Sequence, residues 1–173
     1  MDVELPWFSF ESIDFLKKRE WENVRILELG GGGSTLFFGK RGAKLTCLES
    51  SKEWAEKFKN NIDMLGLSNV NLVIRHYTAN LSEDEFKQTD YYKAIFDEKY
   101  DLIIVDNYEE SIQYRPACFY AAEKSINAGG MIILDDSWRY ENVRKSNSAK
   151  SHKIFKSPGP CRLGVTSTDI FFY

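Results

Sequence analysis

The stretch Leu27-Glu28-Leu29-Gly30-Gly31-Gly32-Gly33-Ser34-Thr35 sets four consecutive glycines between an apolar run and a Ser-Thr pair. Without Cβ atoms such a backbone can adopt positive φ and come into contact with a neighbouring group. Ahead of it, Val24 to Leu29 is short, apolar and partly β-branched, the pattern of a buried strand. Behind it, Ser34 to Lys40 reads as the start of a short helix ending at Arg41-Gly42, where Gly42 suits a left-handed cap. Strand, glycine loop and helix in this order let backbone N–H groups meet a ligand, and favour an anionic group at the helix start.

The same alternation extends in both directions. Ser9 to Lys18 carries Phe10, Ile13, Phe15 and Leu16 near helical spacing, with Ser9 as N-cap. Lys44 to Leu48 predicts a second strand. Ser51 to Leu65 predicts an amphipathic helix with Trp54, Phe58, Ile62 and Leu65 on one face and Gly66 closing it. Val70 to Ile74 predicts a third strand, and Leu102 to Val105 a fourth that is buried on both faces. Arg115 to Asn127 reads as a helix terminated by Ala128-Gly129-Gly130 before the strand Met131 to Leu134. Val165 to Tyr173 predicts a final antiparallel edge strand. Between these elements, the polar 79–99 segment with its Tyr91-Tyr92 pair reads as an excursion over the sheet edge. The basic, Pro- and Gly-punctuated 139–160 segment reads as a loop with a short helix. The expected fold is α/β: a doubly wound, mostly parallel sheet with an antiparallel C-terminal edge strand, in one domain spanning residues 1–173. Residues 1–22 flank it, and 79–99 and 139–160 are its variable loops.

Composition narrows the partners. A chain of 173 residues, 43% hydrophobic, buries one sizeable core, and its net charge of -3 attracts neither nucleic acid nor an anionic membrane. No apolar run approaches the ~20 residues of a membrane helix, and Met1-Asp2-Val3-Glu4 lacks a basic signal-peptide start, so the expected location is cytoplasmic. Cys47, Cys118 and Cys161 are odd in number and have no CxxC spacing, which favours three small core residues over a disulfide or zinc site.

Glu49 stands at the end of the second predicted strand, where a carboxylate can accept hydrogen bonds from both hydroxyls of a ribose. A dinucleotide site, however, wants G-x-G-x-x-G, and Thr35 occupies the third glycine position. The acidic residue before the glycines, in Glu28-Leu29-Gly30-Gly31-Gly32, instead resembles motif I of class I S-adenosylmethionine (SAM) dependent methyltransferases. The resemblance runs along nearly the whole chain: Pro6-Trp7, Leu48-Glu49 with Trp54, Tyr100-Asp101 through Asp106, Gly129-Gly130 through Asp135-Asp136, and Pro158-Gly159-Pro160. These residues are similar to a little-characterised bacterial group of that superfamily. The resemblance implies a Rossmann-like fold with SAM as cofactor and S-adenosylhomocysteine (SAH) as product. It places Gly30 to Gly33 against the methionine part, and Glu49 with Ser50 at the ribose. Ser34 and Thr35 would meet the methionine carboxylate, with Glu28 near the ammonium. The sequence itself leaves Trp54 between adenine cover and core packing, and favours packing; the adenine contact after strand three falls around His76 to Asn80.

Asp106 ends strand four at the carboxyl edge, where open α/β sheets bind ligands, and is the first candidate for base, orienter and cofactor contact. Asp135-Asp136-Ser137-Trp138 follows strand five. Asp135 is a second catalytic candidate, while Asp136 and Trp138 are acceptor contacts; Asp135 or Asp136 would otherwise cap a helix at Ser137 to Val143. With Asp106 these acids resemble the carboxylate set of catechol-type O-methyltransferases, whose oxygen ligands suit magnesium. Asp136 replaces that family's usual asparagine and no lysine accompanies Asp106, so a magnesium site is not favoured. Arg115 is assigned to an acidic substrate or a sheet-edge carboxylate. His76 and His152 are too separated in sequence to suggest a pair, and the run Arg144, Lys145, Lys150, Lys153 and Lys156 reads as a solvated face that could otherwise draw an anionic acceptor. The expected activity is methyl transfer to a small-molecule acceptor, hydroxyl oxygen among the options. The alternatives are an NAD(P)-binding oxidoreductase and a SAM-binding protein without catalysis. Neither acceptor nor oligomeric state is legible.

Overall fold

The computed structural model describes residues 5–109, 114–160 and 163–173, so Cys161 and the Met1 to Glu4 start lie outside the described residues. In chain order the elements are α1 (Phe10–Lys17), β1 (Arg25–Leu29), α2 (Gly33–Gly39), β2 (Lys44–Glu49), α3 (Lys52–Met64) and β3 (Val70–Ile74). There follow α4 (Glu83–Gln88), α5 (Asp90–Lys93), β4 (Tyr100–Val105), α6 (Tyr114–Ser125), β5 (Ile126–Leu134), α7 (Glu141–Lys145), β6 (Ser151–Pro158) and β7 (Val165–Phe172). The seven strands form one sheet in the order β3-β2-β1-β4-β5-β7-β6. The first five pair in parallel; β7 runs antiparallel to both β5 and β6. The expected doubly wound sheet is present, with β1 and β4 adjacent near its middle.

Burial explains why Leu102 to Val105 of β4 reads as a continuous apolar run. In β4, Leu102 and Ile104 face a cluster with Phe37, Phe38 and Phe58, whereas Ile103 and Val105 face one with Phe86, Tyr91 and Phe119. Both sheet faces are thus covered, and the strand's period of two is hidden because each face demands an apolar side chain. Gly42 and Gly66 have φ of +79° and +63°, as their capping positions require. No helix among the described residues is long and apolar enough to cross a membrane.

Three expectations are corrected. The 79–99 segment is not an excursion: α4, α5 and a short 3-10 turn carry Phe86, Tyr91 and Ile95 into the core, each fully buried. A readable signal was present, since Ser82 and Glu85 form a reciprocal capping box at the start of α4. The 139–160 segment contains α7 but also the strand β6, and β6, not β7, is the outer strand. Its side chains His152, Lys153 and Lys156 are exposed, as befits a charged edge strand, and this removed the apolar alternation by which a strand is recognised. Finally, Ala128-Gly129-Gly130, expected to separate the helix from the strand, lies inside β5 together with Asn127, the expected end of the helix, beside a register shift between Tyr100 and Leu102.

Candidate active site

The glycine loop is braced from below by its own preceding strand. Glu28 on β1 is completely buried and accepts hydrogen bonds from the Ser34 and Thr35 hydroxyls. Thr35 Oγ1 in turn accepts from the Gly32 N–H at 3.0 Å. Burial pushes the Glu28 carboxyl up to about 8; the two hydroxyls oppose that rise, and Asp106 and Glu49 add to it. Glu28 and Thr35 do not line the cavity described below, and both hydroxyls are committed to Glu28. The three side chains thus hold the loop in shape, with Ser34 at the start of α2 still on the cavity wall.

Two glycines are required by packing. Gly30 has φ +87°, and a Cβ there would fall 2.5 Å from the Asp106 carbonyl oxygen. A Cβ on Gly31 would overlap the Phe58 ring and lie 2.6 Å from Cys47 Sγ. Around Gly32, by contrast, a Cβ would meet nothing within 4 Å. Glu49 ties this loop to the end of β2: its two carboxylate oxygens accept from the Gly31 N–H at 3.0 Å and the Ser51 N–H at 2.7 Å.

Above the loop lies a cavity of about 780 Å³. From the ends of β1 and β2 it is lined by Gly30 to Ser34, Glu49, Ser51 and Trp54; from the ends of β4 and β5 by Asp106, Tyr108, Arg115, Asp135 and Asp136. Trp7 completes the lining and meets Trp54 edge-to-face, with ring centroids 6.1 Å apart. Core packing of Trp54 is thereby corrected: its indole N–H donates to the Gly31 carbonyl at 2.7 Å, which turns it away from the buried face of α3. Ser50 is buried and outside the lining, its carbonyl 3.1 Å from His76 Nδ1, and Ser51 takes its place. Trp138, 57% exposed, also lies outside the lining.

Opposite the glycine loop, one guanidinium serves a group of carboxylates. Arg115 at the start of α6 is buried, with Nη2 2.9 Å from Asp106 Oδ1, Nη1 3.7 Å from Asp136 Oδ2 and Nε 3.8 Å from Glu109 Oε2. It also donates to the Asn107 carbonyl at 2.9 Å and the Asp135 carbonyl at 3.2 Å. Burial alone would lower its pKa, but Asp106 and the other acids outweigh this and raise it. Of the two roles expected for Arg115, the sheet-edge carboxylate is the one the geometry displays. Burial, with Asp106 and Asp136 nearby, holds the Asp135 carboxyl well above the usual carboxylate range, although Thr168 donates to it at 2.7 Å. Asp136 sits at φ +51°, accepts from Thr166 at 3.2 Å, and makes no side-chain cap to the turn that follows. Among the described residues no group of three or more His, Cys, Asp or Glu converges in a metal-holding arrangement.

Several contributors were not singled out from the sequence. Glu109 accepts from the Tyr114 and Arg115 N–H groups at the start of α6 and from the Tyr140 hydroxyl. Asn107 Oδ1, buried beside this network, has no hydrogen-bond partner among the described residues. Arg144 grips Asp169 at 2.6 and 3.0 Å and also reaches Ser137 at 3.0 Å, fastening the loop after β5 to β7. Arg144 is thus spent within the protein, Lys145 pairs with Glu141 at 2.9 Å, and none of the five basic residues of 144–156 lines the cavity. Tyr91 is a core residue, and the Pro158-Gly159-Pro160 turn is also outside the lining.

No family model matches the chain, and no curated sequence matches it. Solved structures do. An O-methyltransferase from Bacillus cereus in complex with SAH is 22% identical, with 86% of this chain and 73% of that chain covered at a TM-score of 0.62. A methyltransferase from Pyrococcus furiosus is 23% identical, covering 93% of this chain and 80% of that one, TM-score 0.63. An rRNA methylase from Streptococcus thermophilus is 12% identical over 92% of this chain and 91% of that one, TM-score 0.60. The chain has the fold of the class I SAM-dependent methyltransferases.

Proposed function

We propose that this protein transfers the methyl group of SAM to a small-molecule acceptor. The observation that carries this reading is Glu49: its carboxylate is spanned by two backbone N–H groups yet still lines the cavity beside the glycine loop. A carboxylate offers about four lone-pair sites, so two remain for the hydroxyls of a ribose. Gly30 to Gly33 would hold the methionine part, Trp54 and Trp7 the adenine side, and Asp106 the region between cofactor and acceptor. With Glu49, Asp106 and Asp136 on the wall, the cavity suits a cationic sulfonium and opposes the pyrophosphate of a dinucleotide.

Bound SAM supplies an electrophilic methyl group on a positively charged sulfur. This chain's residues align the acceptor with it and manage the acceptor's proton. Arg115 orients Asp106, whose side chain is 25% exposed and so the acid best able to reach an acceptor. Burial, and then Asp106 and Asp136, hold the neighbouring Asp135 carboxyl above the usual carboxylate range, and it accepts a hydrogen bond from Thr168. Arg115 therefore positions the catalytic carboxylate instead of gripping the substrate. The fold is also shared with an rRNA methylase, but acids and aromatics around the cavity favour a compact acceptor over a polyanion.

Calorimetric titration with SAM, SAH and NAD tests the reading. SAM and SAH are expected to bind and NAD to bind far more weakly; tighter binding of NAD than of SAH overturns it. Methyl transfer from labelled SAM across an acceptor panel separates an enzyme from a protein that only binds the cofactor.

A further inference from the structure

Once the glycine loop, Ser34, Glu49, Ser51, Trp54 and Trp7 are assigned to the cofactor, the wall left for an acceptor among the described residues consists of Asp106, Tyr108, Arg115, Asp135 and Asp136. Three of the five are carboxyls, and Glu109 stands behind them with its side chain 1% exposed. The one guanidinium is already committed. Its nitrogens are taken by Asp106, Asp136 and Glu109 and by the carbonyls of Asn107 and Asp135. An anionic acceptor recruiting Arg115 would uncover these carboxylates, each costly to leave unpaired in a buried place. Nor do the basic residues of 144–156 line the cavity. Tyr108, 63% exposed, presents an aromatic ring on the same wall, a surface that attracts an organic cation.

We infer that the acceptor is a small organic amine that enters as its ammonium cation, with nitrogen as the methylated atom. This rests on the proposed use of SAM. In the transfer, the ammonium gives one proton to the ionised Asp106 carboxylate, and the nitrogen recovers its lone pair. That pair forms the N–C bond to the methyl group as the S–C bond breaks, its electrons remaining on sulfur. The positive charge passes from sulfur to nitrogen, the product leaves as a methylated ammonium, and Asp106 releases the proton to solvent.

The test is equilibrium binding of matched probes to the full chain saturated with SAH near neutral pH: 2-phenylethylamine against 3-phenylpropionate, and butylamine against butyrate. Each amine is expected to bind about tenfold or more tighter than its carboxylate partner. Asp136→Asn and Tyr108→Leu should each weaken amine binding about three- to tenfold and leave SAH affinity within about twofold. The mostly exposed Tyr108 keeps the test valid if Asp136→Asn fails to fold. Equal or tighter binding of the carboxylates, no binding of any probe, preferential binding of an RNA oligonucleotide, or a Tyr108→Leu variant with undiminished amine binding overturns the inference. The SAH titration is scored separately. Its failure overturns the cofactor reading, and the amine-carboxylate comparison on the protein alone then still decides the preference of the cavity.

Discussion

Arg115 Nη2 lies 2.9 Å from Asp106 Oδ1, joining the start of α6 to the end of β4 in a mostly buried ion pair. Because the same guanidinium reaches Asp136 after β5 at 3.7 Å, it also ties together two loops that come from neighbouring parallel strands.

Removing that cation should therefore cost stability as well as function. Arg115→Ala is expected to lower the unfolding free energy by about 3–5 kcal/mol, as for other broken buried pairs. Arg115→Lys should recover only part of this, since an ammonium cannot reproduce the planar fork that also serves two carbonyls. Urea unfolding near neutral pH measures both; a loss under about 1 kcal/mol for alanine would mean that the acids are satisfied by other groups.

Glu49→Ala removes the acceptor of the Gly31 and Ser51 N–H groups as well as the proposed ribose contact. SAH affinity should fall by about 1.5–3 kcal/mol, or roughly 10- to 150-fold. Glu49→Gln, which keeps one carbonyl oxygen, should lose less. Calorimetry showing a change within about twofold for alanine would remove Glu49 from the cofactor site.

The glycines divide into those packed against and those left open. Gly31→Ala would press on the Phe58 ring and Cys47 Sγ and should destabilise the protein by about 1–3 kcal/mol. Gly32→Ala, facing open space, should stay within about 0.5 kcal/mol. Trimming the neighbour in a Gly31→Ala, Phe58→Leu double variant should recover part of the loss. Equal thermal midpoints for the two alanine variants would refute this division.

The pH dependence of stability follows from Glu28. Its carboxyl is pushed up to about 8 by burial, above its value in the unfolded chain, so the folded state holds a proton that the unfolded state has released. Its contribution is complete below about pH 4.5 and is lost as pH rises toward about 8, on the order of 5 kcal/mol in total. Asp135, raised in the same direction, adds to the fall. Glu28→Gln should flatten the profile between about pH 5 and 8 and be more stable than the native chain at the alkaline end. Denaturant unfolding across that range measures the slope, and a native stability that rises with pH would contradict the assignment.

Much of the frame was legible from local pattern. β3 spans the residues expected of it, β1 and β2 differ by one residue at an end, and α3 begins and ends one residue inside its expected bounds. What escaped was set by partners distant in sequence. Trp54 looked like a core residue because it shares the helical stripe of Phe58 and Ile62, yet its indole N–H is held by the Gly31 carbonyl. Strand β6 escaped because its exposed edge position relieves it of apolar alternation, while β7, against which it pairs, is almost wholly buried. The helices α4 and α5 are too short to declare themselves by periodicity and owe their burial to packing around Phe86 and Tyr91.

The sequence by itself determined the parallel sheet, the glycine loop between β1 and α2, and the place of Glu49 at the end of β2. Strand patterning, glycine conformation and helix termination act over a few residues and are written locally. Tertiary structure decided which charges meet. The β4-β5 pairing brings Asp106 and Asp135 to one edge, α6 inserts Arg115 among them, and burial raises the carboxyls of Glu28 and Asp135. Charge pairing and desolvation depend on groups far apart along the chain, so Glu28 became a brace for the loop and Arg115 the anchor of the acids only once the sheet had assembled around them.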